Sequence, residues 1–460
     1  MPQIKKVCIP HIAAPPQYST PNNPLTKKKN KKTKQAIIIG AGPAGLAAAL
    51  HLHKTHGTNV TVHEVRNEPT TLGGAISIPA NGLRLLDRLG VYARIREGGS
   101  ITDDMVLHAT DGSELGRVDL VSDTQARIGY GFMRVKRTVV MDALFTAVEE
   151  AGIPVRFGRR IVGIHEDEDE ETVTATFEDG AGETADLLVG CDGIHSAVRS
   201  LHVNPGLTPE YSGVASMSSI IRMRTDLSGM NITFTSQGSI VVLPCTEPKT
   251  DTDTGEKEFF WFLTRHIPPP TDAASSRDGW SAHSAKEVAG FKTTVQEIIH
   301  HIDGAWGSTL REVVANTESV NFYPVYRLRR DDSGSWHTRR CVLLGDAAHA
   351  MPPHVGQGVS MALEDVFLLS RVLGPQAWSL EDGLRRFERI RRPRVQYMAE
   401  RAADNSKRSR PKASWQMVAM EWYLWAWSWA CRWLPLSSWS WRLSEGDLVY
   451  DIDEVDIENV

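Results

Sequence analysis

The run "QAIIIGAGPAGLAAALHLHKT", which begins at Gln35, constrains this chain more than any other stretch. Four apolar residues, Ala36 to Ile39, lead into Gly40, Gly42 and Gly45, and a small-residue helix pattern follows. An apolar run without alternation reads as a strand buried on both faces, as in a parallel sheet. Gly40 allows the tight turn, Gly42 lets the backbone approach a pyrophosphate, and Gly45 lets helix and strand pack closely. Pro43 and Ala44 form the first helical turn, where the missing proline N–H costs nothing. The helix N-terminus adds free amides and the positive end of a dipole. A second strand pattern, "NVTVHE", ends at Glu64, 19 residues beyond Gly45. A carboxylate there can accept hydrogen bonds from ribose hydroxyls, whereas His63 beside it reads as a structural strand residue. Nicotinamide and flavin dinucleotides share this ADP half, so the turn alone does not choose between them.

A later stretch does. In "RRCVLLGDAAHAMPPHVGQGVSMALEDVFLLSRVL" the apolar run Cys341 to Leu344 predicts another buried strand, with Gly345-Asp346 at its carboxyl end. Ligands bind open α/β sheets at that end, and a carboxylate there can accept hydrogen bonds from a sugar alcohol. Pro352 and Pro353 stiffen the next turn, and Gly356, Gln357 and Gly358 lead into a helix of about 14 residues. Amides at its start would stabilise negative charge on a ring edge. A reduced flavin carries that charge and a nicotinamide does not. A third stretch, "ADLLVGCDGIHSAVRS", reads as strand, Asp192-Gly193 turn and a short helix ending near Arg199. In "VKRTVVMDALFTAV" the spacing of Val140, Leu144 and Val148 predicts a helix with Arg137 at its start.

Together these motifs resemble the group A FAD-dependent aromatic monooxygenases, the para-hydroxybenzoate and salicylate hydroxylase type, over about residues 35–375 and in family order. The stretch "HEVRNEPTTLGGAISIPANGLRLLDRLGV" and the "YDID" near the chain's end are similar to fungal secondary-metabolism members in particular. The resemblance implies bound FAD. Asp346 would hold the ribityl chain, and Gly356, Gly358 and Val359, with Pro353, would run beside the isoalloxazine. Gly74, Ala75 and Arg137 would contact the flavin. Asp192, associated in the family with both FAD and the reducing nicotinamide, and Arg199 complete the set. Ser360 stands where the family carries Asn. The implied fold is α/β: a Rossmann-type FAD-binding domain (35–200 and 335–375), an antiparallel-sheet substrate domain (201–334, joined by 100–125) and a C-terminal helical segment (376–460). The implied reaction uses NADPH or NADH and O2. NAD(P)H reduces FAD, oxygen adds to the reduced ring, and the hydroperoxide's terminal oxygen passes to an electron-rich small molecule. Aromatic, indole and alkene substrates of alkaloid, polyketide or terpenoid type all fit. A flavin oxidase or dehydrogenase, or a non-catalytic FAD-binding module, are the alternatives.

On the substrate side, "SIIRMRT", "NITFTSQ", "GSIVVLP" and "EFFWFLTR" read as strands of a sheet laid over the flavin, completed by the hairpin "DMVLHATDGSELGRV". The family's aromatic-Arg-Gly step is replaced by Met217-Ser218-Ser219. Arg222 and Arg224, two strand positions apart on one face, are the candidate substrate contacts, with solvent-facing charge as the other reading. "GAGETA" at Gly180 follows no buried strand and reads as a hairpin loop, so NAD(P)H must dock without a nucleotide fold of its own.

Composition narrows the partners. A net charge of −5 gives no basic field for nucleic acid. Five scattered cysteines, without a Cys-x-x-Cys pair, offer no zinc site and suit a reducing, cytoplasmic setting. Residues 1–34 carry eight lysines and no acid, and read as a disordered tail. Eight of the 13 tryptophans fall between Trp415 and Trp441. Trp415 to Ala430 is shorter than the roughly 20 residues that span a bilayer. Trp425, Trp427 and Trp429 step by two, so the rings circle the helix, which favours a buried cover over the pocket or a homodimer contact. A monotopic membrane anchor is the competing reading.

Overall fold

The computed structural model describes residues 33–69, 73–247, 256–269, 277–329, 334–374, 378–408, 410–433 and 446–459. The lysine-rich tail before Thr33, most of the charged loop "TEPKTDTDTGEKE" and the tryptophans Trp439 and Trp441 lie outside them.

A five-stranded parallel sheet organises the molecule. Its order is Cys341–Leu343, Leu187–Gly190, Gln35–Ile39, Asn59–His63, Val155–Arg156. The strands that precede the three turn motifs are therefore adjacent although they lie up to 300 residues apart in sequence. The small-residue helix Pro43–His56 buries Leu46, Ala47, Ala48, Ala49 and Leu50, and the helix Gly358–Val372 packs against it. Residues of "GAGETA" form the turn and last strand of an appended antiparallel sheet, Ile161–Asp167, Thr172–Phe177, Gly182–Ala185.

The second large sheet has seven strands in the order Asn321–Arg327, Glu210–Met223, Lys257–His266, Gly238–Pro244, Met230–Thr235, Asp104–His108, Glu114–Asp119. The early hairpin joins it as expected, but by parallel pairing of Asp104–His108 with Met230–Thr235. Side chains alternate across this sheet with period two. Met217, Ile221, Ile240, Val242, Trp261 and Leu263 face a layer of helices, Phe291–Ile299 and Gly304–Ala315, that the strand pattern did not announce. The opposite face turns toward the cofactor motifs.

The C-terminal segment divides its contacts. The helix Leu380–Arg408 packs on Gly358–Val372, while Ser414–Trp433 packs on the edge strand Glu114–Asp119. Residues 446–459 return to the parallel-sheet domain, where Asp451 pairs with Arg84 and Arg88. The tryptophan helix is not buried all round, contrary to the expectation. Met417 and Ser428 are buried, Leu424 and Trp427 pack against the cluster of Met105, Leu107 and Val118, and Trp415, Trp422, Trp425 and Trp429 are exposed. The sheet edge is flat, so it can cover only one side of a helix. No helix among the described residues is long and apolar enough to cross a membrane.

Candidate cofactor and substrate cleft

The glycine turn is tied to its neighbours by backbone hydrogen bonds at the carboxyl ends of the strands. Gly40 N–H donates to the His63 carbonyl (2.7 Å), and Cys191 N–H to that of Ile39 (2.7 Å). Gly40 has φ +104°, and any Cβ there would strike the Cys191 backbone, so the Asp192-Gly193 turn lies directly against the glycine turn. At Gly45 a Cβ would collide with the Gly40 carbonyl, which is the close helix–strand packing expected. Gly42 is different: open space faces it, at a helix N-terminus with no side-chain cap. Glu64 accepts from Ala41 N–H (2.9 Å) and Arg66 N–H (3.0 Å), holding the turn's shape from the next strand. Gly345, at φ +57°, fits between Ala44 and Ala362 and brings the Asp346 turn against the first helix.

These features fit a dinucleotide. Asp192 uses Oδ2 to accept from Ala197 N–H (2.6 Å) and Val198 N–H (3.1 Å), and its buried Oδ1 has no hydrogen-bond partner. Asp346 opens onto the cleft although protein surrounds it. Burial raises both carboxyls above the usual range; His349 and Arg137 pull Asp346 partly back. Sugar hydroxyls can donate to such acceptors without adding charge.

Asp346 opens into a cleft of about 2320 Å³. Pockets for one small molecule run about 300–1,000 Å³, so this space accommodates a cofactor and a substrate together. Gly74, Ala75, Arg137, Asp346, Pro353, Gly356, Gly358 and Val359 all line it. The opposite wall is the free sheet face: Ile232, Phe234, Val241, Phe260 and Phe262, with hydroxyls from Ser216, Ser218, Ser239 and Thr264. Trp425, Ser428 and Trp429 line one end. Gly40, Gly42, Ala44, Gly45, Glu64 and Asp192 are not part of this lining; they meet at the carboxyl ends of the parallel strands, joined to the Asp346 turn through Gly345 and Ala44.

Three expected residues take other places. Arg222 is the last residue but one of the strand Glu210–Met223, which has run past the cleft by then, and Arg224 lies just beyond the strand's end. Their side chains are 73% and 67% exposed and pair with Glu258 (3.4 Å) and Glu256 (3.5 Å), so neither is a substrate contact. Arg199 is buried, and its guanidinium donates to the carbonyls of Leu207, Ala347 and Ile194. It holds the backbone beside Asp346 rather than the cofactor itself. Its helical turn also continues to Val203. Ser360 packs against Gly82 and does not line the cleft.

Sequence reasoning missed two groups. Arg134 lines the cleft, 6% exposed, its guanidinium over the Phe260 ring (5.2 Å) and one Nη donating to the Ala75 carbonyl (3.3 Å). Its Nε has no partner, and burial lowers its pKa to about 10. The second group is an ion cluster behind the Asp346 turn. Arg391 donates to Asp365 Oδ1 (2.7 Å) and Glu364 Oε2 (2.7 Å), all three side chains fully buried. Asp365 Oδ2 accepts from Gly345 N–H (2.8 Å) and lies 2.6 Å from His349 Nε2. Burial pushes the Asp365 carboxyl up, but His349, Arg391 and the Gly345 amide outweigh it and hold it below the usual range. The adjacent acids in "ALEDVFLL", inside an apolar helix, were the signal for this cluster.

Known proteins agree with this geometry. In solved structures, Klebsiella pneumoniae HpxO, determined with FAD and uric acid, superposes with a TM-score of 0.69 at 23% identity, covering 85% of this chain and 92% of that one. By sequence, 6-hydroxynicotinate 3-monooxygenase of Bordetella bronchiseptica is 28% identical over 346 residues, 73% of this chain and 81% of that protein. The FAD-dependent monooxygenase penM of Penicillium crustosum is 27% identical over 379 residues, 78% of this chain and 75% of that protein. The family model described as FAD binding domain matches residues 33–402. Because that match spans most of a chain whose own turns are shaped for a flavin dinucleotide, the chain belongs to the FAD binding domain family of group A FAD-dependent monooxygenases.

Proposed function

We propose that the protein uses NADPH or NADH and O2 to insert one oxygen atom into an electron-rich, largely apolar small molecule, by hydroxylation of an aromatic or indole ring or epoxidation of an alkene. One observation carries this reading: a single cleft joins the flavin-side residues Arg137, Asp346 and Gly356–Val359 to an aromatic and aliphatic sheet face. Bound FAD supplies the electron store and the oxygen-activating ring. The chain supplies the rest. The Gly358–Val372 helix has no side-chain cap at its N-terminus, so its first amides and dipole are available to stabilise negative charge. Phe260, Phe262, Ile232, Phe234 and Val241 exclude water from the reacting region. The hydroxyls of Ser216, Ser218, Ser239 and Thr264 orient polar substituents of the substrate. Arg134, buried without a carboxylate partner, serves as the anchor for an anionic or enolic oxygen on the substrate.

Relatives' names point to compact polar rings such as 6-hydroxynicotinate and urate. The wall here is largely aromatic and aliphatic, in a cleft of about 2320 Å³, which suits the larger secondary-metabolite class. The test is spectroscopic and isotopic. The purified protein is expected to be yellow, to bleach with NADPH or NADH without oxygen, and to place one atom of labelled O2 in its product. Reduction by NAD(P)H with no label transferred to any electron-rich substrate would support the oxidase reading instead.

A further inference from the structure

Most of the outward face of the helix Ser414–Trp433, Trp415, Val418 and Trp422 included, lies away from the cleft. Trp415, Val418, Trp422, Trp425 and Trp429 are spaced three, four, three and four residues apart and are all exposed, Trp415 at 71% and Trp422 at 66%. At about 100° per residue they fall within an arc of about 80°. Ala419, Tyr423 and Ala426 widen the same face. Among the described side chains of this helix the one charged group, Glu421, turns inward, where its Oε1 accepts from the Thr110 amide and hydroxyl (2.7 Å each). A helix face in water is ordinarily polar, and contiguous exposed apolar surface of this kind marks a docking site.

The chemistry of the face and its flank selects the occupant. Tryptophan and tyrosine favour the headgroup level of a membrane, whereas helix-to-helix seams favour Leu, Ile and Val. Just before the helix, "KRSRPK" supplies cations on a chain whose net charge is −5. Of these, Arg410 is exposed, Lys407 is exposed and paired with Asp404, and Lys412 is half-buried. We infer that this face docks on an anionic lipid surface, with the tryptophans at headgroup depth and the flanking cations against the lipid phosphates. The helix lies in the interface and does not cross it. Trp425 and Trp429 belong both to the stripe and to the cleft wall, so docking brings that end of the cleft to the lipid. The surface is independent of the reaction performed inside.

The full-length, FAD-loaded protein should be sedimented with phosphatidylcholine vesicles containing one-fifth phosphatidylserine, and with phosphatidylcholine alone. Binding is expected to the anionic vesicles, with a blue shift of tryptophan fluorescence. Trp415→Glu combined with Trp422→Glu should weaken it by about tenfold or more. Those two residues do not line the cleft, so FAD content and anaerobic reduction by NAD(P)H should stay at wild-type levels. Arg410→Glu should weaken binding to the anionic vesicles while leaving the weaker binding to phosphatidylcholine unchanged. Wild-type protein that stays in the supernatant overturns the inference, as does a double variant that binds as well as wild type. A lipid-free dimer abolished by the same two substitutions would assign the face to a second copy of the chain and also overturn it.

Discussion

Asp346 and Asp192 look alike in sequence, each an Asp beside Gly after a strand, but their surroundings give them different work. Asp192 spends Oδ2 on two amides of its own turn, whereas Asp346 presents its carboxylate to the cleft. Asp346→Ala is therefore expected to lower FAD affinity by roughly 10- to 150-fold, the loss of one hydrogen bond to a charged acceptor. Asp192→Ala should lower it less and mainly destabilise the turn. Equal, fully yellow preparations of wild type and Asp346→Ala would sink this assignment. Behind the turn, Arg391→Met should destabilise the fold by about 3–5 kcal/mol, because the buried Asp365 would keep only His349 as an ion-pair partner and Glu364 only Arg394. Chemical denaturation measures it, and a loss below about 1 kcal/mol would mean the cluster is not what holds the Gly345 amide in place. Arg134→Met should leave FAD content unchanged and raise KM for an acidic substrate by about tenfold or more, or the Kd of a carboxylate probe such as benzoate. Unchanged binding with lost FAD would move Arg134 to the cofactor side. Arg134 and Arg391 were illegible beforehand because an arginine's partner, or lack of one, is not written near it in the chain.

Among the elements, those with a simple period were legible. The buried strand before Gly40, the helix after it and the helix from Arg137 stand where pattern and turn chemistry put them. The Ser414–Trp433 helix shows the limit of that reasoning. Its composition is apolar on every side, which argued for burial, but the sheet edge covers only Met417, Leu424, Trp427 and Ser428. Held by that inner side, the helix sets Trp425, Ser428 and Trp429 along the cleft. Replacing Leu424 and Trp427 by alanine should loosen the closure by about 2–4 kcal/mol and admit water. The expected readout is uncoupling: NAD(P)H is consumed and hydrogen peroxide accumulates while product falls. A loosened variant that stays fully coupled would show that the helix does not seal the cleft. Arg222 and Arg224 failed for a related reason. Alternation assumed a strand through both, but the strand ends at Met223 and has left the cleft before Arg222, so both side chains reach solvent-side carboxylates instead.

Across the whole molecule, burial sets a pH limit on stability. His51, His63 and His354 are each lowered to about 4, chiefly by burial. An unfolded imidazole binds its proton near pH 6.5, so between that pH and about 4 the unfolded chain takes up protons that the folded chain refuses. Stability is then lost as pH falls through this window, and none is lost to these groups above it. Asp192, raised by burial, opposes part of the loss. Thermal midpoints measured from about pH 7 to pH 4.5 check it, and a flat profile would mean the imidazoles gain protons without opening the fold. The glycine turn, the Gly345-Asp346 turn and the order of the motifs were decided by the sequence alone, because each rests on local backbone geometry that only certain residues allow. The meeting of those turns was decided by strand order, which sets residues about 150 and 300 positions apart side by side. The lining of the cleft, the isolation of Arg134, the cation under Glu364 and Asp365, and the bare aromatic stripe were decided only in the tertiary structure. Each depends on what another element leaves covered or uncovered, and burial is a property of the whole packed chain rather than of any segment of it.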